Sequence, residues 1–357
     1  MKKIALLFVS VLFVGCSTLT TKTTHKLQLK FLDEYVVPDS LVVDGTLVGG
    51  LSGIDYKEGT YFLICDDASN PRYYKATINI NLNTISKIHF NKVYKIKDTT
   101  NYLDMEAIRY DTKRHKIVIT SEGSIRHGVS PSLFTINSDN HIHKVKIPDM
   151  FSVNSIQKPR NNGTLEGLCI SKNEKGYWIA MELPLKGDGP EPTYQEADSP
   201  VRITYIDAAY NKPNKQFTYY LEPISKKPTG RFGVNGVTDI LEYSTDKFFV
   251  LERAFSSGWG TQGNTVRIFK ANASKATNTI NKVSLKEKKF KPASKELLLD
   301  LEDIRNQLTN AIIDNIEGMT FGPTLPNGNK TLLLVSDNNF NRLGKQLNQF
   351  ILLEIEN

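Results

Sequence analysis

The stretch EGMTFGPTLPNGNKTLLLVSDNNF, residues 317–340, runs from an acid and a small residue through an apolar arm to the turn-rich PNGNK. A second apolar arm, LLLVS, follows and stops on Asp337. Apolar residues fill both arms and the breakers sit between them, so the stretch predicts a β-hairpin. The same form occurs four more times, as SGIDYKEGTYFLICDD (52–67), EAIRYDTKRHKIVITSE (106–122), EGLCISKNEKGYWIAME (166–182) and NGVTDILEYSTDKFFVLE (235–252). The small residues at 53, 107, 167, 236 and 318 are 54, 60, 69 and 82 residues apart. A loose period of strand units with few helical stretches points to a β-propeller whose blades carry unequal insertions.

The expected fold class is therefore all-β, a six-bladed β-propeller of which five repeats are visible. The sixth blade is expected from the two chain ends, KLQLKFLDEYVV (26–37) pairing with QFILLEIE (349–356) to close the ring and remove exposed edges. One helix is expected at ELLLDLEDIRNQLTNAIID (296–314), where the periodicity changes inside the longest interval.

Hairpin geometry gives the terminal acids a meaning. The first residue of one antiparallel arm lies beside the last of the other, which sets Glu106 beside Glu122, Glu166 beside Glu182 and Glu317 beside Asp337. If the hairpins are the inner strands of successive blades, Asp66 or Asp67, Glu122, Glu182, Glu252 and Asp337 form a circle at one end of the channel, joined by Glu106, Glu166 and Glu317. Like charges so close either keep protons or bind cations. Carboxylates with Asn235, Asn338, Asn339 and backbone carbonyls are hard oxygen donors that suit Ca²⁺ or Mg²⁺. The expected metal set is Asp66, Asp67, Glu106, Glu166, Glu182, Glu252, Glu317 and Asp337, with Ca²⁺ as the cofactor. The plainer alternative is that these acids bond to backbone N–H groups or pair with Arg72, Arg126, Arg253 and Arg342.

The series LSGIDY…CDD, LDMEAI…SEG, GTLEGL…ME, GVTDIL…LERAF and DNIEGMTFGP…LLLVSDNNF, followed by QFILLEIE, resembles the phytase-like family, also described as esterase-like activity of phytase. The resemblance runs in order from about Leu51 to the C-terminus, with Cys65 standing where the family usually has Ser. It implies an exported bacterial β-propeller, and the family name points to ester or phosphoester hydrolysis. Such a hydrolase needs cations for the phosphoryl oxygens and basic groups for the remaining charge. The candidate catalytic residues are Glu122, Arg126, His127, Glu182 and Arg253. The alternative is a non-catalytic propeller that binds a glycan, peptide or protein partner, with metal serving stability.

Other chemistries find little support. No G-x-S-x-G elbow is present, which leaves Ser121, Ser130 and Ser336 without a fixed base. The six histidines form no zinc signature, and HIH (141–143) reads as strand surface. GDGPEP (187–192) lacks EF-hand spacing and reads as an inserted loop. Cys65 and Cys169 lie in apolar runs and read as small buried hydrophobes without a bridge.

The 357 residues, 39% hydrophobic and 23% charged, suffice for one large core. MKKIALLFVSVLFVGC (1–16) has the layout of a secretory signal ending in a lipobox-like FVGC, with Phe13 where Leu is usual. Cys16 would then be lipidated, residues 17–25 form a polar tether, and 26–357 form the single propeller domain. The expected location is the cell envelope, periplasmic or outer membrane, with membrane contact only through the lipid. Removing the signal leaves 43 basic against 38 acidic residues, an excess of +5. SLKEKKFKPASK (284–295), the densest basic stretch, reads as a solvated loop, so nucleic acid is excluded as a partner and a monomer is expected.

Overall fold

A computed structural model describes residues 26–97, 102–138, 141–342 and 344–356. The signal and tether expected over 1–25, with Cys16, lie outside these residues. The chain is an all-β propeller. It opens with β1 (Gln28–Val37) and a small ribbon of β2 (Val42–Val43) and β3 (Thr46–Leu47). Blade one is β4 (Gly53–Lys57), β5 (Thr60–Cys65), β6 (Arg72–Asn81) and β7 (Thr84–Lys95). Blade two is β8 (Met105–Asp111), β9 (Lys116–Ser121), β10 (Ser132–Ile136) and β11 (Ile142–Val145). Blade three follows with β12 (Leu165–Ile170), β13 (Gly176–Met181), β14 (Pro200–Asp207) and β15 (Lys212–Tyr220). Blade four holds β16 (Gly233–Ser244), β17 (Lys247–Ser256), β18 (Asn264–Asn272) and β19 (Ser294–Asp300). Blade five is β20 (Ile316–Thr324), β21 (Lys330–Ser336), β22 (Asn348–Glu356) and, outermost, β1.

There are five blades, not six. The two chain ends do pair, with Gln28 opposite Glu356 and Val37 opposite Asn348. They do so as the outer half of blade five, because β22 is bonded on its other edge to β21. The hairpin β20–β21 needs two further strands to make a four-stranded blade, and the termini supply them. The innermost strands touch in the order β4, β8, β12, β16, β20 and back to β4, so the ring is complete at five.

The helix expected over 296–314 is shorter. KELLLD (295–300) is the outer strand of blade four, with Arg267 opposite Asp300 and Ile268 opposite Leu299. A 3-10 helix, Leu301–Gln307, begins only where Asp300 accepts a hydrogen bond from the Glu302 amide. A single 3-10 turn, Thr309–Ala311, follows it.

The greasy arm LLLVS is explained by blade packing. Leu333 and Val335 join an apolar cluster with Leu63 and Tyr74 of blade one, while Leu332 and Leu334 join one with Val250 and Ile268 of blade four. Alternate side chains thus face opposite neighbours, and a blade between two others has no polar face. Each fully buried leucine contributes about 2 kcal/mol by removal from water.

The small residues of the repeat are required where inner strands converge. A Cβ on Gly318 would lie 2.9 Å from the Gly53 Cα, and one on Gly236 would lie 2.4 Å from the Glu182 Cγ.

At the axis the ring is stitched by one buried ion pair. Arg109 of β8 is 1% exposed and holds Asp239 of β16, also 1% exposed, through two bonds of 2.8 Å. The guanidinium also donates to the Ile54 carbonyl of β4 at 2.6 Å and to the Met319 carbonyl of β20 at 3.3 Å. Asp239 in turn accepts from the amides of Met319 at 2.9 Å and of Leu168 in β12 at 3.4 Å. All five inner strands therefore bond to this pair.

Candidate functional site

The acids collect at the end of the channel where the inner strands begin. Two local devices put them there. Asp66, Glu122, Glu182 and Asp337 each stand one residue past the second strand of a blade. Their amides bond to the carbonyls of Gly50, Asp104, Thr164 and Asn315 at 2.7, 2.8, 2.6 and 2.9 Å, which fixes the exit direction of the chain.

The second device is a β-bulge. The register slips between Met105 and Ile108, between Leu165 and Gly167, and between Ile316 and Gly318. Glu106, Glu166 and Glu317 occupy these slips, so each is turned out of the ladder toward the axis. The acids are therefore not matched pairs across a regular hairpin, as simple antiparallel geometry predicts.

Together they line one cavity of about 790 Å³. Nine acidic residues line it: the seven just named plus Asp104, before β8, and Asp314, before β20. Arg253 and Lys345 are the basic residues along its walls. One side is apolar, built from Phe232, Val234 and Phe255, with the rings of Phe232 and Phe255 5.6 Å apart.

Two trios of carboxyl groups have ligand atoms all within 4.8 Å of one another, Asp66 with Asp104 and Glu106, and Glu106 with Glu122 and Glu166. Glu122 is anchored by the amides of Gly163 and Thr164, the latter at 3.0 Å. Arg253 donates to Glu317 at 2.9 Å and lies 3.9 Å from Glu182. Asp337 accepts from the Asn339 amide at 2.7 Å, in a turn where Asn339, Phe340 and Asn341 all adopt left-handed φ of 46–58°.

Burial dominates the electrostatics. It pushes the Glu122 carboxyl up to about 7, and the Glu182 and Asp337 carboxyls up to about 8. Burial, and then the neighbouring acids, hold Glu106 and Glu166 well above the usual range. Asp66 is raised by burial and by the charge of Asp337. Such a cluster keeps protons or takes cations in their place.

Several expected residues are elsewhere. Asp67 follows Asp66 but turns away, accepting from Arg72 at 2.9 Å and from the Ser69 hydroxyl at 2.6 Å. Glu252 faces away from the channel, where Tyr219, Asn235 and Lys295 donate to it at 2.6, 2.7 and 2.9 Å. The next residue, Arg253, faces the cavity instead, as strand alternation requires. Arg126 and His127 sit in an exposed 3-10 turn. The Arg126 amide bonds to Asn161 at 3.1 Å, and His127 lies 2.7 Å from the Ser124 hydroxyl. Neither lines the cavity.

The remaining sequence features have structural partners. Ser336 donates to the Leu347 carbonyl at 2.6 Å, and Ser121 and Ser130 accept from the amides of Asp104 and Val153. Asp188 of GDGPEP is locked to the buried Arg202 at 2.6 and 2.8 Å. Cys65 and Cys169 are buried free thiols.

Residues 46–340, which span all five inner hairpins, match the family described as phytase-like, esterase-like activity of phytase. The chain belongs to this family. No curated protein matches the chain. Among solved structures, this phytase-like chain is similar to a GH43 β-1,3-galactosidase with galactodeoxynojirimycin, at 10% identity over 90% of this chain and 93% of that one, TM-score 0.45. It is also similar to an exo-β-1,3-galactanase from Phanerochaete chrysosporium with β-1,3-galactotriose, at 11% identity over 91% and 64%, TM-score 0.46. A GH32 β-fructofuranosidase from Bombyx mori matches at 10% identity over 92% and 62%, TM-score 0.43.

Proposed function

We propose that the central cavity is a divalent-cation-dependent recognition site for an oxygen-rich small molecule of the ester or phosphoester class that the family description names. The observation that carries this reading is the gathering of nine acidic residues around one cavity with Arg253 and Lys345 as its only bases among the described residues. An anionic or hydroxyl-rich ligand meets repulsion there until cations offset the carboxylates and present open coordination positions. Oxygen donors alone favour Ca²⁺, Mg²⁺ or Mn²⁺ over thiolate-loving metals. The apolar wall of Phe232, Val234 and Phe255 suits the carbon skeleton of such a ligand.

Recognition ranks ahead of turnover because Arg126 and His127 stand outside the cavity and, among the described residues, no serine lining it is paired with a histidine. Hydrolysis is the second reading, favoured by Glu122, Glu182 and Arg253 sharing the cavity that would hold the cations.

Calorimetric titration of the full chain at pH 7.5 with Ca²⁺, and then with simple phosphate and acyl esters, tests both readings. Ester binding that requires Ca²⁺ and falls at least tenfold in a Glu166→Gln, Glu182→Gln, Asp337→Asn variant is the expected result. Equal ester binding in chelator contradicts the cation-dependent site. Turnover that stops in chelator and returns with Ca²⁺ decides for the hydrolase.

A further inference from the structure

We infer that the cavity holds two divalent cations bridged by the carboxylate of Glu106, one against Asp66 and Asp104 and the other against Glu122 and Glu166. This inference rests on the cation-dependent reading above and specifies its architecture. Glu106 is the one residue common to both carboxylate trios, and within each trio the ligand atoms lie within 4.8 Å of one another.

A second feature points to ligands independently of the clustering. Glu106 and Glu166 are 8% and 7% exposed, both line the cavity, and no described residue donates a hydrogen bond to either carboxylate. Buried carboxylates normally collect donors, as Glu122 does from two amides and Glu252 from three side chains. Glu106 and Glu166 are left with unused acceptor atoms aimed into a polar cavity. A cation satisfies them where a protein donor does not.

The bridge has a chemical consequence. A carboxylate shared by two ions holds them about 4 Å apart, the spacing at which one oxyanion can span both. The cavity therefore selects a ligand with two oxygens on one centre, a phosphate or carboxylate group. Glu182 and Glu317 occupy the Arg253 side of the cavity and belong to neither trio, so substitutions there leave both ions in place.

Equilibrium dialysis and electron paramagnetic resonance of the full chain with Mn²⁺ test the bridge. Two Mn²⁺ per chain with the spectrum of a spin-coupled pair are expected. Asp104→Asn, at the half-buried rim, reduces the stoichiometry to one and abolishes the coupling while the Glu122 and Glu166 site still fills. Glu106→Gln removes the coupling and weakens both ions at least tenfold, with circular dichroism confirming that the variant is folded. No bound Mn²⁺ in the parent chain overturns the cation reading itself. One ion, or two without coupling, overturns the bridge and leaves that reading standing.

Discussion

Arg109→Ala is expected to cost about 3–5 kcal/mol of stability, the penalty for breaking a buried ion pair from one side. The corresponding fall in melting temperature is on the order of 10 °C. The loss has two sources. Asp239 is left as a buried carboxylate whose remaining donors are the amides of Leu168, Ile240 and Met319. The ring also loses the one group that bonds directly to β4, β8, β16 and β20. A paired Arg109→Met, Asp239→Leu variant removes both charges together and is expected to recover much of the loss, since an apolar replacement pair leaves no orphaned ion. Thermal unfolding followed by circular dichroism measures both. An Arg109→Ala chain melting within about 2 °C of the parent would show that the pair does not bind the blades together.

The cation-free chain is expected to be least stable at alkaline pH, with the melting temperature falling on the order of 5–10 °C between pH 5.5 and 8.5. Burial holds Glu122 near 7 and Glu182 and Asp337 near 8 in the folded chain, whereas unfolded carboxyls titrate near pH 4. Folding therefore takes up protons between these values. The stability this contributes is complete below about pH 4 and is lost as pH rises through 7–8, because the folded chain must then bury the charges. Ca²⁺ offsets part of the loss, by replacing the proton of Glu122 and by opposing the charge of the neighbouring acids, so the cation raises the melting temperature more at pH 8.5 than at pH 5.5. Differential scanning calorimetry in chelator and in Ca²⁺ checks both limbs. A melting temperature that is flat with pH, or a Ca²⁺ effect larger at pH 5.5, contradicts the buried carboxyl cluster as its source.

Much of the blade architecture could be read from the repeated hairpins, because strand alternation and turn residues are local signals. Their number was harder to read. β1 and β22 look alike whether they form a blade of their own or complete blade five, and only the pairing of β22 with β21 decides it. Parity set the limits at the site. ICDD and VLER each offer adjacent candidates, and a one-residue difference sends Asp67 and Glu252 to Arg72 and Lys295 while Asp66 and Arg253 face the cavity. Asp104 and Asp314 are not legible as site residues, although each precedes a bulged acid by two or three residues, in LDMEAI and DNIEG. A charge set before a strand gives no sign of the direction it will face. The Arg109–Asp239 pair is equally hard to read, since its members are 130 residues apart. Its signal was an arginine in EAIRYD and an aspartate in GVTDIL, each inside an inner strand with no water to solvate it.

The most direct measurement is anomalous diffraction from crystals of the chain soaked in Mn²⁺ at pH 7.5. Difference peaks at coordination distance from Glu106, within the cavity bounded by Asp66, Asp104, Glu122 and Glu166, are the expected result. A cavity without anomalous density, its carboxyl groups bonded only to each other and to water, would contradict a cation site at the centre of the propeller.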